Sequence, residues 1–286
     1  MGLGGLFHRA LPSALGRIAG RWGEVAGWFA LLNASFITMY YITILAWVGG
    51  MLLGSFGPLW QPSTQVTAFG TTLPNPVGFF FRLLSSWGVL ILVAVVWALN
   101  AHILRRGIES IEGAVRIFVP LMWVFMIVLV VRGLTLPHGT EGMALLFTPD
   151  FSLIGQPAVW QGAFGQIFFS LSLGFGIMTA YASFLPRNAD HINNGIVTAC
   201  MNCGFEFIAG LAIFSLLFAF AVVPQASTIS MMFFVVPQGI AAMPTGVRLF
   251  GVLFFVLLMF AGIKWILSRR CLSRIKLTTL SIYPFT

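Results

Sequence analysis

The chain has 286 residues, 59% of them hydrophobic and 8% charged, with 15 Lys and Arg against 7 Asp and Glu. Average chains carry roughly a quarter charged residues, so the composition excludes an ordinary soluble domain, and the mean hydropathy of +0.98 makes lipid the natural solvent. The net charge of +8 reads as loop charge rather than a nucleic-acid surface, because basic residues collect in the cytoplasmic loops of membrane proteins.

In lipid the backbone must satisfy its own hydrogen bonds, which leaves helices or closed barrels. The apolar runs are about 20 residues long and do not alternate, so they predict helices. Residues 1–27 read as a cytoplasmic N-terminal segment carrying Arg9, Arg17 and Arg21, with no cleavable signal peptide. Six spans follow, at about 28–54, 79–103, 114–136, 159–185, 196–223 and 246–268. The linker 55–78 is uncharged and rich in Gly, Pro, Ser and Thr. Pro137, Gly139, Pro149 and Pro157 mark 137–158 as a loop. The stretch 224–245, between Pro224 and Pro244, is apolar but broken and reads as re-entrant or interfacial. Residues 269–286 read as a basic cytoplasmic tail. The expected fold class is all-α, a polytopic transmembrane helical bundle of about six spans.

Charge orients these spans. Twelve of the 15 basic residues fall on one side, and Arg82, Arg132 and Arg248 fall on the other. The bias places both termini in the cytoplasm of a multi-pass protein of the inner, or plasma, membrane.

No catalytic constellation is visible. His8, His102, His138 and His191 are scattered, and no Ser-His-Asp set, metal motif or phosphate-binding glycine loop appears. No enzyme and no organic cofactor are expected. Cys200 and Cys203 form a lone C-x-x-C in an apolar run and read as packing residues, since a zinc site wants a second ligand pair. The turn holding Arg105, Arg106, Glu109, Glu112 and Arg116 reads as solvated.

Three segments are able to carry chemistry. In the fourth span, Gly165 to Gly176 puts glycines and serines at mid-membrane depth. Irregular backbone is tolerated there only where it faces protein or a water-filled cavity, and such broken helices expose groups that hold ions and substrate. The alternative is small residues packing two helices closely. In the first span, Tyr40, Tyr41 and Trp47 lie within the apolar run, where buried hydroxyls need partners. In the fifth span, Asn202 and Glu206 are four residues apart and share a helix face. A charged side chain at that depth costs about 3 kcal/mol, so Glu206 is a functional candidate, with a hydrogen-bonded structural acid as the alternative.

These residues resemble the neurotransmitter:sodium symporters, in particular bacterial relatives of the leucine transporter. The string Gly165–Tyr181, followed by Ala182 and Ser183, is similar to that family's unwound sixth helix. Tyr40-Tyr41 with Trp47, Arg106-Gly107-Ile108-Glu109, Pro120 and Phe147–Phe151 support it, and the likeness runs from about residue 16 to 263. The resemblance implies part of a leucine-transporter-type inverted-repeat fold, covering its third to eighth helices. It implies that Ile37, Tyr41, Phe169, Ser170, Ser172 and Phe175 line a substrate site, with Phe169 as an aromatic gate. Ser170 and Asn202 match sodium-coordinating positions. Glu206 matches the position that is acidic in chloride-independent members and serine in chloride-dependent ones, with Gln166 beside it.

The implied function is sodium-coupled symport of an amino acid or related small amine, with sodium as the coupling ion. Two departures accompany it. The family's first two helices have no counterpart here, and after Ile263 Lys264 and Trp265 stand where the family has hydroxyl residues. A truncated member, inactive alone, is therefore expected. The alternative is a non-transporting membrane subunit that needs a complementing chain or a homo-oligomer.

Overall fold

The structure, a computed structural model, describes residues 7, 11–60, 67–68, 71–72, 75–105, 108–183, 185, 188–219 and 227–280. Backbone alone is described for 67–68, 71–72, 75, 103–105, 108–112, 114–115, 180–181 and 264–280. The side chains of the turn at Arg105–Glu112 and of Lys264 and Trp265 thus lie outside the described residues.

The first apolar run lies within a longer helix, α1 (Leu11–Ser55), and the chain reverses near its start. Gly20 takes φ 60 and ψ −148 there, a conformation open to glycine and costly for other residues. The short leg 11–19 folds back along the helix. A Cβ on Gly27 would stand 2.5 Å from Pro12 Cα, so only glycine permits this approach. After α1, a two-strand hairpin pairs β1 (Thr67–Ala68) with β2 (Thr71–Thr72) antiparallel.

The second expected span, 79–103, is not one straight helix. It is α2 (Asn75–Leu84) and α3 (Gly88–Arg105), bent by 82° at the break. The serines between them explain it. Ser85 Oγ donates back to the Phe81 carbonyl at 3.0 Å, and Ser86 Oγ accepts from the Gly88 amide at 3.0 Å. Such side-chain bonds compete with the helical ladder.

The third span is α4 (Ile108–Leu134), with Pro120 inside it. The following stretch, expected as loop, contains α5 (Gly139–Phe147). Its prolines flank the helix rather than interrupt it, and of the residues between Pro137 and Pro149 nine coil into α5. His138 enters it at φ 60 and pairs with Glu141 at 2.8 Å.

The fourth span is broken, as α6 (Pro157–Ser170) and α7 (Ile177–Ser183). Next comes α8 (His191–Ala219), whose start is capped by Asp190 accepting from the Ile192 and Asn193 amides at 3.1 and 3.0 Å. Of the expected broken stretch 224–245, residues 224–226 lie outside the described residues, and the rest holds the short apolar helix α9 (Thr228–Ala241), with a π turn at Met231–Val235. The last helix, α10 (Val247–Leu280), carries the expected sixth span and continues through most of the expected tail.

Among the described residues three helices are long and apolar enough to cross a membrane, or four if the bent α2–α3 pair is one span. The broken α6–α7 pair and the Val247–Ile263 part of α10 occupy the other two expected spans.

An aromatic knot ties α1, α2 and α9 together. Phe80 stacks on Phe233 at 4.7 Å, and Trp47 sets its edge against both, at 5.6 and 6.1 Å. Around it, Met51, Leu59, Ile240 and Phe255 are fully buried. Helix α8 packs on α4 and α5, and α10 packs on α1, α4 and α7. Helix α6 has no buried residue.

Candidate functional site

The break between α6 and α7 follows from its residues. Ser172, Gly174 and Gly176 sit at φ 54, 78 and 75, and an α-helix cannot pass through positive φ. At the end of α6 the Ile167, Phe168 and Phe169 carbonyls accept from the amides of Leu171, Leu173 and Ser172. These bonds satisfy three of the last four carbonyls of α6, and Ser170 carries the fourth.

Ser170 therefore presents a hydroxyl and a carbonyl at the last position of α6. Across from it, Asn202 and Glu206 stand one turn apart on α8. The three side chains form one cluster. Ser170 Oγ donates to Glu206 Oε1. Asn202 Nδ2 donates to Ser170 Oγ, and also to Glu206 Oε1 at 3.1 Å. The cluster holds the oxygen atoms that a hard monovalent or divalent cation prefers, together with one carboxylate. No group of three or more His, Cys, Asp or Glu side chains that could hold a metal ion occurs among the described residues.

The other expected site residues are placed as follows. Phe169, at the end of α6, and Phe175, within the break, meet edge to face, 6.2 Å apart at 84°. Ser172 lies within it at positive φ. Tyr41 is half-buried against the cluster of Ile42, Leu45, Ala46, Val96 and Ile263, and Ile37, one turn earlier, is buried. Tyr40 departs from expectation: it is 52% exposed, because adjacent helical residues point about 100° apart. Gln166 is exposed on α6; the side-chain bonds to Glu206 come from Ser170 and Asn202. Cys200 and Cys203 are free and exposed, on a side of α8 turned away from its neighbours, so they are not the packing residues expected. The sequence carries no signal for the Ser170 carbonyl, since a backbone acceptor has no side-chain signature.

Outside the membrane-spanning segments, Asp150 caps the turn Phe151–Leu153. Its carboxylate accepts from Ser152 Oγ at 2.6 Å and from the Ser152 amide at 3.0 Å. These bonds hold its pKa below the usual aspartate value. The bonds favour the charged form, so their contribution is present above the ordinary aspartate range and is lost as pH falls through the lowered value. Protection of the Ser152 amide from hydrogen exchange, relative to an unstructured amide at the same pH, is expected to fall on acidification, and Asp150→Asn should remove that pH dependence of the protection.

Comparison with known proteins shows the family and the fold. Residues 82–273 match the model of the sodium:neurotransmitter symporter family. A sodium-dependent transporter of Methanocaldococcus jannaschii, itself uncharacterized, is 35% identical over 281 residues, spanning 92% of this chain and 55% of that protein. The human inactive sodium-dependent neutral amino acid transporter B(0)AT3 is 37% identical over 203 residues, covering 63% of this chain and 32% of its own length. The crystal structure of MhsT in complex with L-phenylalanine superposes with a TM-score of 0.82 at 26% identity, covering 98% of this chain and 62% of that one. The chain thus spans about half the length of its archaeal relative. With its broken helix, its oxygen cluster and a family match over most of its length, this chain belongs to the sodium:neurotransmitter symporter family.

Proposed function

We propose that this chain forms part of a sodium-coupled symporter for an amino acid or a related small amine. The observation that carries this reading is the joining of Ser170, Asn202 and Glu206 at the end of a broken membrane helix. Sodium takes the oxygens of Ser170 and, once its amide turns over, of Asn202, and Glu206 supplies the balancing charge. Phe169 and Phe175 wall the neighbouring space, and Ile37, Tyr41 and Ser172 line the substrate. Coupling is linkage: an ion and a substrate that share one site each stabilise the other's bound state. The phenylalanine-bound MhsT supports an amino acid as the substrate. Both termini lie in the cytoplasm of the plasma membrane, supported by the charge bias.

A direct test compares thermal unfolding of the purified chain in sodium and in choline. Sodium should stabilise it, by about 2.7 kcal/mol at 100 times its Kd. Ser170→Ala should abolish most of that difference while leaving stability in choline nearly unchanged. Equal stabilisation of wild type and variant would count against the site.

A second reading is that this chain needs further helices to transport. It is favoured by α6, which has no buried residue although it carries Gln161 and Gln166. Polar side chains in a membrane helix belong against protein or water rather than lipid. Proteoliposomes holding only this chain should show no sodium-driven amino-acid uptake. Robust uptake would overturn this reading.

A further inference from the structure

The leg at the start of α1 reaches the broken span. Leu11, Pro12 and Ala14 are buried, as are Gly23 and Gly27 on the helix that they pack against. A Cβ on Gly23 would stand 2.3 Å from the Leu15 carbonyl oxygen, and one on Gly27 2.5 Å from Pro12 Cα. Small residues four apart allow this backbone-to-backbone approach, as they do between membrane helices.

The far end of the leg meets the break. A Cβ on Gly176 would lie 3.0 Å from Leu11 Cδ2. Gly176 is the last residue before α7 and takes φ +75, and the next residue, Ile177, is 2% exposed. On another side α7 packs on α10. With Ser172, Gly174 and Gly176 all at positive φ, the break has no continuous helical ladder to hold it. A segment without such a ladder is positioned by what touches it and opens at low cost.

We propose that residues 11–19 form an intramolecular latch, with Leu11 as the wedge that keeps the start of α7 closed. The glycine contacts seat the latch on α1, so its release is a single event. Releasing it frees Ile177 and opens the end of the site farthest from α6. This is a conformational control on the site, separate from the ion ligands themselves.

The test uses thiol labelling of the full chain in nanodiscs, on a background carrying Cys200→Ala, Cys203→Ala and Cys271→Ala. Ile177→Cys should react slowly and Arg17→Cys, on the exposed side of the leg, quickly. Adding Gly27→Leu, which collides with Pro12, should raise the reactivity of Ile177→Cys about tenfold by shifting a local opening equilibrium. Leu257→Cys, buried between α4, α8 and α10, should stay protected and so report that the bundle is intact. If Gly27→Leu also exposes Leu257→Cys, the milder Leu11→Ala decides, since it shortens the wedge and leaves the leg seated. Ile177→Cys that stays protected with Leu11→Ala and with Gly27→Leu in an intact bundle would overturn the latch.

Discussion

Glu206→Ser should make sodium stabilisation of this chain depend on chloride. Glu206 is an acidic side chain joined to both Ser170 and Asn202. A unit charge about 4 Å from a bound cation, at an effective dielectric of about 20, contributes roughly 4 kcal/mol. That sets a ceiling of about three decades on the loss in sodium affinity when the charge is removed. Serine leaves room and a hydroxyl where a chloride ion restores the negative charge. Thermal unfolding of Glu206→Ser should therefore respond to sodium in chloride and hardly respond in gluconate. Potassium chloride and potassium gluconate give the baseline for general salt effects. Wild type should respond equally in both anions. A variant that responds to sodium equally in both would defeat the charge-replacement argument. A second substitution separates an ion site from a structural acid. Glu206→Gln keeps hydrogen-bonding partners for Ser170 and Asn202 but carries no charge. An uncharged group costs less at this depth, so sodium-free stability should hold or rise while the response to sodium disappears.

Phe233→Ala should cost about 3 kcal/mol or more, the range for emptying a buried aromatic site. Phe233 is fully buried, stacked on Phe80 and touched by the edge of Trp47. Removing it opens a cavity where α1, α2 and α9 meet. The surrounding rings are rigid and close the space poorly. The contrast is Phe36→Ala, at a ring 60% exposed on α1, which should change stability by about 0.5 kcal/mol or less. Denaturation midpoints of the two variants in one detergent give the comparison. Equal effects would mean that the aromatic knot does not anchor α9.

Much of this was legible in the residues. Composition alone leads to helices in lipid, because 8% charge cannot cover a soluble surface. Ser172, Gly174 and Gly176 mark the break in α6–α7, since small residues at mid-membrane depth favour irregular backbone. Asn202 and Glu206 share a face by helical spacing alone. The sequence is weaker wherever a short-range bond decides. The bend between α2 and α3 rests on Ser85 and Ser86 bonding to nearby backbone, which hydropathy does not register. Helix α5 hides between prolines that look like loop markers and act as its boundaries. The fold-back at Gly20 depends on one positive φ and on contacts with Gly23 and Gly27, which are small residues of no obvious role in a linear reading. The exposure of Cys200 and Cys203 depends on which side of α8 its neighbours occupy, and spacing within one helix does not specify that.

In the proposed site, the end of α6 and the facing turn of α8 together hold one cation. Equilibrium binding of radioactive sodium to the purified chain tests it most directly. Saturable binding, displaced by unlabelled sodium and not by choline, is expected for wild type. Asn202→Ala, which removes the amide that bridges Ser170 and Glu206, should bring it to background. Binding that never saturates, or that survives intact in Asn202→Ala, would rule out a cation site at Ser170, Asn202 and Glu206.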